Sequence, residues 1–204
     1  MIRILRSIAQ QLPAPIQNWA REIVETRRIS RYPDRAVLLK RVLPALRQTR
    51  ALADNAKVLW IGCRAYTTLY YDLIEQGGAE CWSIDIEPEV QPFGRRGRHI
   101  TGDMLKLDEL FPANHFDAVL CNGVLGWGVD DPADQARAFA ALGAVTKPEG
   151  WILIGWNTDR MADPLQFGVA EPRLEHAALP GFPARYVVEG CTHVYDTYRR
   201  RADA

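Results

Sequence analysis

From residue 57 onward the chain alternates short apolar runs with amphipathic ones, and this rhythm constrains the fold more than any other feature. KVLWIG (57–62), ECWSIDI (80–86), a weaker RHITGD (98–103), FDAVLCNG (116–123) and WILIGWN (151–157) read as strands. Between them TTLYYDLIEQGG (67–78) reads as a helix closed by a glycine pair. DPADQARAFAALGAVTKPEG (131–150) reads as another, with Asp131 as cap and Pro132 in its first turn. Strands apolar enough to be covered on both faces and separated by helices predict an α/β fold with a doubly wound, mostly parallel sheet. After residue 157 the alternation weakens. EPRLEHAAL (171–179) reads as a short helix, and ARYVVEG (184–190) with THVYDTYRR (192–200) as an antiparallel hairpin about Gly190 and Cys191.

Ahead of this body two amphipathic helices are expected. PIQNWAREIVETRR (15–28) spaces Ile16, Trp19, Ile23 and Val24 along one face, and DRAVLLKRVLPALRQTR (34–50) follows Pro33, with Asp34 as N-cap and Pro44 kinking or dividing it. The expected division is an N-terminal helical cap over 1–54 and an α/β domain over 55–204. The chain is neutral overall, but residues 1–50 hold eleven Lys/Arg against three Asp/Glu, so the remainder is correspondingly acidic. Basic helices docked on an acidic domain account for this; so does an acidic small substrate. The lack of a basic run interleaved with aromatics argues against nucleic acid. No apolar stretch reaches the length of a membrane span, and polar residues break up MIRILRSIAQQLPAP before a signal-peptide core forms. The four cysteines, Cys63, Cys81, Cys121 and Cys191, show no metal-ligand spacing, and three lie in apolar strand-like runs. A reducing, cytoplasmic setting without a metal is expected, and the oligomeric state stays open.

In an open α/β sheet ligands bind beyond the carboxyl ends of the strands. The first such exit is Gly62-Cys63-Arg64-Ala65-Tyr66-Thr67. Gly62 can supply the turn after the strand, whereas Arg64 and Tyr66 stand where further glycines would give a ligand clearance. Arg64 either pairs with a ligand carboxylate or phosphate or points to solvent. The second exit carries Asp85, about twenty residues beyond the turn, a spacing suited to ribose hydroxyls or else to capping a turn. Glu87 is the weaker choice beside it, since Pro88 follows. At the third exit Asp103 could accept from a base amine with Met104 against the ring, or the Gly-Asp pair is merely a turn. The fourth, CNGVLGWGVDDP, puts Asn122, Gly123 and Trp127 toward the reacting end of a ligand, unless Trp127 only plugs the surface.

Taken together these exits resemble the class I S-adenosylmethionine-dependent methyltransferases, in their small-molecule, methyltransferase type 11-like branch. The resemblance runs from about Lys57 to Gly155 through VLWIGCRAYT, SIDIEP, HITGDMLKLDELFPANHFDAVLCNGVLGWG and TKPEGWILIGWN, and the terminal hairpin agrees with the family's usual sheet ending. It implies a Rossmann-like fold and S-adenosylmethionine as cofactor. Gly62 and Cys63 would approach the methionine part, joined by Arg64 and Tyr66; Asp85 and Ile86 would serve the ribose side, Asp103 and Met104 the adenine, with Asn122 and Gly123 also on the cofactor. The first motif departs from the family pattern at Trp60, Arg64 and Tyr66, where an acidic residue and two glycines are usual, so a rebuilt cofactor loop is expected.

Methyl transfer from a sulfonium is an in-line displacement in which positioning supplies much of the acceleration. If the acceptor must lose a proton, His193 is the base expected, with Tyr195 beside it; His99, His115 and His176 have no supporting context. Tyr32 and Arg35, between the N-terminal helices, would line an acceptor pocket together with Trp127. The leading expectation is a methyltransferase acting on a small molecule, and the basic balance of residues 1–50 hints at an acceptor bearing a carboxylate or phosphate. The alternatives are a non-catalytic or regulatory protein that keeps the fold, and a nicotinamide-dependent oxidoreductase, for which GxGxxG is missing.

Overall fold

The computed structural model describes residues 23–165 and 172–202. The first expected helix, over 15–28, lies partly outside them; its described part is helical over 23–29. The second is one rod built of α1 (Pro33–Val37), a π-helical turn (Leu38–Val42) and α2 (Leu43–Arg47). Pro44 therefore neither kinks nor divides it in the simple sense. Pro44 has no N–H to give, and the backbone absorbs the loss by widening one turn, Leu43 N–H reaching back to the Leu38 carbonyl. Asp34 is not the N-cap. Tyr32 holds that position without a side-chain bond, Pro33 opens the helix and Asp34 lies in its first turn.

The strands are β1 (Lys57–Ile61), β2 (Glu80–Asp85), β3 (His99–Thr101), β4 (Phe116–Asn122), β5 (Thr146–Asn157), β6 (Leu174–His176), β7 (Arg185–Val187) and β8 (His193–Arg200). They form one sheet in the order β3-β2-β1-β4-β5-β8-β6, with β7 also on β8. The first five run parallel, and β8 turns antiparallel between β5 and the short β6 and β7. The expected sheet and its terminal hairpin are both present. α3 (Thr68–Glu75), α4 (Leu107–Leu110) and α5 (Pro132–Val145) supply the helical layers. EPRLEHAAL is not a helix: Leu174–His176 is a strand paired with β8, whose edge backbone needs partners more than a three-residue segment after Pro172 can nucleate a turn. The helix before β5 also ends earlier than read, at Val145. Asp131 caps its start, accepting from Ala133 N–H, and KPEG bulges between Thr146 and Trp151 with Glu149 at φ 65°.

Alternation along β1 explains why both faces are apolar. Val58 and Trp60 join the core built by the rod and α3, with Leu38, Leu46, Tyr70 and Ile74. Leu59 and Ile61 point the other way, into a second core with Leu107, Phe139 and Leu142. Helices on both faces bury the strands and leave the carboxyl ends of β1, β2, β3 and β4 as the place where the backbone opens to a ligand.

Candidate active site

A cavity of about 350 Å³ lies at those strand ends. It brings together Gly62, Arg64, Tyr66, Asp85, Ile86, Asp103, Met104, Asn122, Gly123 and Trp127, along with Glu87 and Asp134. A larger groove of about 610 Å³ runs between the 23–29 helix and α3. Its carboxylates already have cationic partners, Glu25 with Arg28, Asp72 with Arg95 and Glu75 with Arg98, and only its Tyr66 end reaches the strand exits. The smaller cavity is the candidate site.

The first wall is the loop after β1. Gly62 turns at φ 88°, where a Cβ would meet Val124 Cγ2 at 2.8 Å, so a side chain is excluded twice over. Its N–H donates to the Ile84 carbonyl (2.9 Å) and its carbonyl accepts from Trp60 Nε1 (2.7 Å). Trp60 is buried and stacked on Tyr70 at 4.9 Å, which anchors the loop from below where the family pattern has an acid. Thr67, buried at the loop's end, closes it further: Oγ1 donates to the Arg64 carbonyl (2.8 Å), accepts from Arg64 N–H (3.2 Å) and meets the Tyr71 hydroxyl (2.8 Å). Side-chain hydrogen bonds thus hold a shape that glycines elsewhere reach by freedom of φ.

Asp85 stands at the tip of β2, only 8% exposed. Its Oδ2 accepts from Cys63 N–H (2.6 Å) and Arg64 Nη1 (3.4 Å), and Oδ1 from Glu87 N–H (3.0 Å). Arg64 also lies 3.8 Å from Glu87, so in this structure its guanidinium faces two carboxylates of the site. Cys63 does not line the cavity. Its thiol is buried beneath the loop, where desolvation pushes its pKa up and Tyr71 donates to Sγ (3.3 Å). Beyond β3, Asp103 Oδ1 accepts from Leu105 N–H (2.9 Å) and opens a short 3-10 turn that tucks Met104 inward. Ile86 presents an exposed apolar side chain opposite.

Tyr32 and Arg35 do not line the cavity but stand at its rim. The Arg35 guanidinium lies 4.3 Å from the Tyr32 ring centroid and 3.7 Å from that of Tyr66, whose own ring does line it. On the far side Arg160 stacks 4.0 Å over Trp127, which is half exposed. Neither guanidinium meets a carboxylate within salt-bridge distance among the described residues.

His193 is buried on β8 and also lies behind the cavity, Nδ1 3.3 Å from Asn157 Oδ1. Burial pushes its pKa down to about 4, against an opposing pull from Asp34, so the ring is neutral near pH 7. The sequence reading missed Gly155 and Asn157, at the end of β5. The available signal was register: Asn122 pairs with Gly155 across β4–β5, and Asn157 with His193 across β5–β8. Among the described residues no group of three metal-ligating side chains is gathered and no helix is long and apolar enough to cross a membrane.

Comparison with known proteins agrees with this arrangement. The family described as "Methyltransferase domain" matches residues 59–154, from β1 through β5. This stretch, just under half of the chain, is similar to that family. Solved structures extend the likeness of fold beyond it. The PH0226 protein of Pyrococcus horikoshii OT3 is 15% identical at a TM-score of 0.60, over 82% of this chain and 91% of that one. A TehB-like SAM-dependent methyltransferase of Corynebacterium glutamicum is 18% identical at 0.58, over 93% and 100%. The N-methyltransferase NodS of Bradyrhizobium japonicum WM9, crystallised with S-adenosyl-L-homocysteine, is 16% identical at 0.57, over 86% and 96%. Among curated protein sequences nothing matches. The chain therefore shares the fold of these proteins beyond the matched stretch, and the candidate cavity lies at the strand ends of the sheet.

Proposed function

We propose that this chain is an S-adenosylmethionine-dependent methyltransferase acting on a small-molecule acceptor. The observation that carries the reading is Asp85 at the carboxyl tip of β2, bordering the same cavity as the Gly62 turn, Asp103 and Met104. A ribose would place its hydroxyls against the Asp85 carboxylate. An adenine would lie between Met104 and Ile86, with Asp103 toward its amine. Bound S-adenosylmethionine supplies an electrophilic methyl on a sulfonium. The protein's part is to orient the two reactants and exclude water, for which Tyr66 and Trp127 provide walls. An acceptor carrying a carboxylate or phosphate suits Arg35 and Arg160 at the rim, and the α1–α2 rod, packed on the sheet, carries Arg35 there. Four free cysteines, Cys63, Cys81 and Cys121 buried and Cys191 exposed, suit a reducing, cytoplasmic setting.

A second reading rests on one feature of the same site. Both Asp85 oxygens already accept from protein donors, and Arg64 lies against them, so a non-catalytic protein could keep the fold with the ribose position closed from within. Calorimetric titration with S-adenosylmethionine and S-adenosylhomocysteine separates the two. Saturable binding, weakened at least about tenfold in Asp85→Ala, is expected, since a hydrogen bond to a charged group contributes roughly 1.5–3 kcal/mol. A folded sample that binds neither ligand would leave the second reading standing.

A further inference from the structure

Two of the three positions at which the first motif departs from the family pattern are aromatic, and their rings belong to one stack. Trp60 lies against Tyr70 with ring centroids 4.9 Å apart, and Tyr70 meets Tyr66 edge-on at 6.2 Å. The Tyr66 ring in turn lies 3.7 Å from the Arg35 guanidinium, which also stands 4.3 Å from the Tyr32 ring. A glycine at position 66 would break this stack and leave Arg35 with one ring. The backbone beside Arg35 is pinned separately: Tyr195, fully buried on β8, donates from its hydroxyl to the Asp34 carbonyl (3.1 Å).

What this guanidinium lacks is an acceptor. Aromatic rings attract a guanidinium through its faces and take none of its N–H bonds. Among the described residues Arg35 makes no hydrogen bond and no ion pair, not even with Asp34 beside it. The hydroxyl of Tyr70, one ring further in, is buried and also without a partner. Burial holds that phenol in its protonated form, and the Arg35 charge acts on it in the opposite sense, so two sets of donors lie within electrostatic reach of each other with no acceptor bonded to either. A carboxylate supplies what is missing, since its two oxygens match the planar N–H fork and its single charge matches the guanidinium. A phosphate monoester carries about −1.5 to −2 at pH 7. One guanidinium does not neutralise that beside a cavity already lined by Asp85, Glu87, Asp103 and Asp134.

We infer that the altered motif is the base of an aromatic stack that holds Arg35 at the mouth of the cavity as the receptor for a carboxylate on the methyl acceptor. Arg35 selects the acceptor, and Tyr66 is the positioning residue that ties this selection to the cofactor loop. The inference rests on the methyltransferase reading and narrows its acceptor to a carboxylate-bearing molecule.

Ligand-observed NMR titrations at constant ionic strength, in the presence of S-adenosylhomocysteine, test it with three probes: benzoate, its neutral counterpart benzamide, and phenyl phosphate. Benzoate should bind at least about tenfold more tightly than either of the others. The preference should fall to about one in Arg35→Gln. It should be kept in Tyr66→Phe, which retains the ring, and fall toward the Arg35→Gln value in Tyr66→Leu. A preference that survives Arg35→Gln, tighter binding of phenyl phosphate, or equal binding of all three probes would overturn the inference; an undiminished preference in Tyr66→Leu would overturn the part given to the stack. Calorimetry of the same sample with S-adenosylhomocysteine keeps the two readings apart. No cofactor binding beside a benzoate preference that depends on Arg35 would overturn the methyltransferase reading and leave the carboxylate site standing.

Discussion

The exits of β1 and β4 border the same cavity and are built in opposite ways. In the loop after β1 the polar groups find protein partners: Trp60 holds the Gly62 carbonyl, Thr67 closes on Arg64, and the Cys63 amide is taken by Asp85. At the exit of β4 the bonding is incomplete. Asn122 Oδ1 and His193 Nε2 are unpaired in a buried pocket, and Trp127 exposes about half its surface. A loop whose bonds are complete holds a shape; one with bonds left over has something to offer a ligand. The altered glycine motif is thus a wall held by its own hydrogen bonds, and the polar atoms left over lie at the exit of β4.

The largest effect should come from breaking the anchor of that wall. Trp60→Ala removes a buried indole stacked on Tyr70 and should cost about 3–5 kcal/mol in urea unfolding. A cost below about 1 kcal/mol would mean that the loop does not depend on the core beneath it.

Acid probes the other exit. The folded pKa of His193, about 4, lies below its unfolded value near 6.5, so the unfolded chain binds more protons between them. The stability involved is fully present above about pH 6.5 and is lost as pH falls toward 4, by up to about 3 kcal/mol. His99 and His115, also lowered by burial, act in the same direction, so the informative quantity is the difference from His193→Gln, whose unfolding should depend less on pH across this window. Asp163, held below the ordinary carboxylate range by its hydrogen bond with Arg185, adds its loss only at lower pH. Equal pH dependence in the variant would show that His193 is already solvated and that the β4 exit is not dry.

The smallest effect belongs to Arg64. Its side chain is half exposed, so its contacts with Asp85 and Glu87 contribute little, and Arg64→Ala should lower stability by less than about 1 kcal/mol in thermal unfolding. A loss above about 2 kcal/mol would contradict a loop held by Trp60 and Thr67.

Strands were legible because burial on both faces demands continuous apolar runs, and Val58–Ile61 or Ala118–Cys121 permit little else. Asp85 was legible because a strand's end and its distance from a glycine turn are both countable along the chain. The errors share a cause. Leu174–His176 became a strand because β8 offered an edge, and Pro44 was absorbed by a π turn because the rod's apolar face stays packed on the sheet. Both outcomes depend on partners distant in sequence. Cys63 lies beside Gly62 in the chain yet is fully buried, its Sγ accepting from the Tyr71 hydroxyl, a partner that only the fold brings beneath the loop.

The order of apolar runs, with glycine and aspartate at their ends, by itself determined a doubly wound sheet with a ligand site at its carboxyl edge, because strand burial and turn chemistry are local demands. Which polar atoms at that edge are satisfied was decided only by tertiary structure. Asn122, Gly155, Asn157 and His193 come from three strands, and the pairing of β4 with β5 and of β5 with β8 brings them into one layer. Hydrogen bonds saturate, so whether an amide still has an atom to offer a ligand depends on every neighbour the fold places beside it.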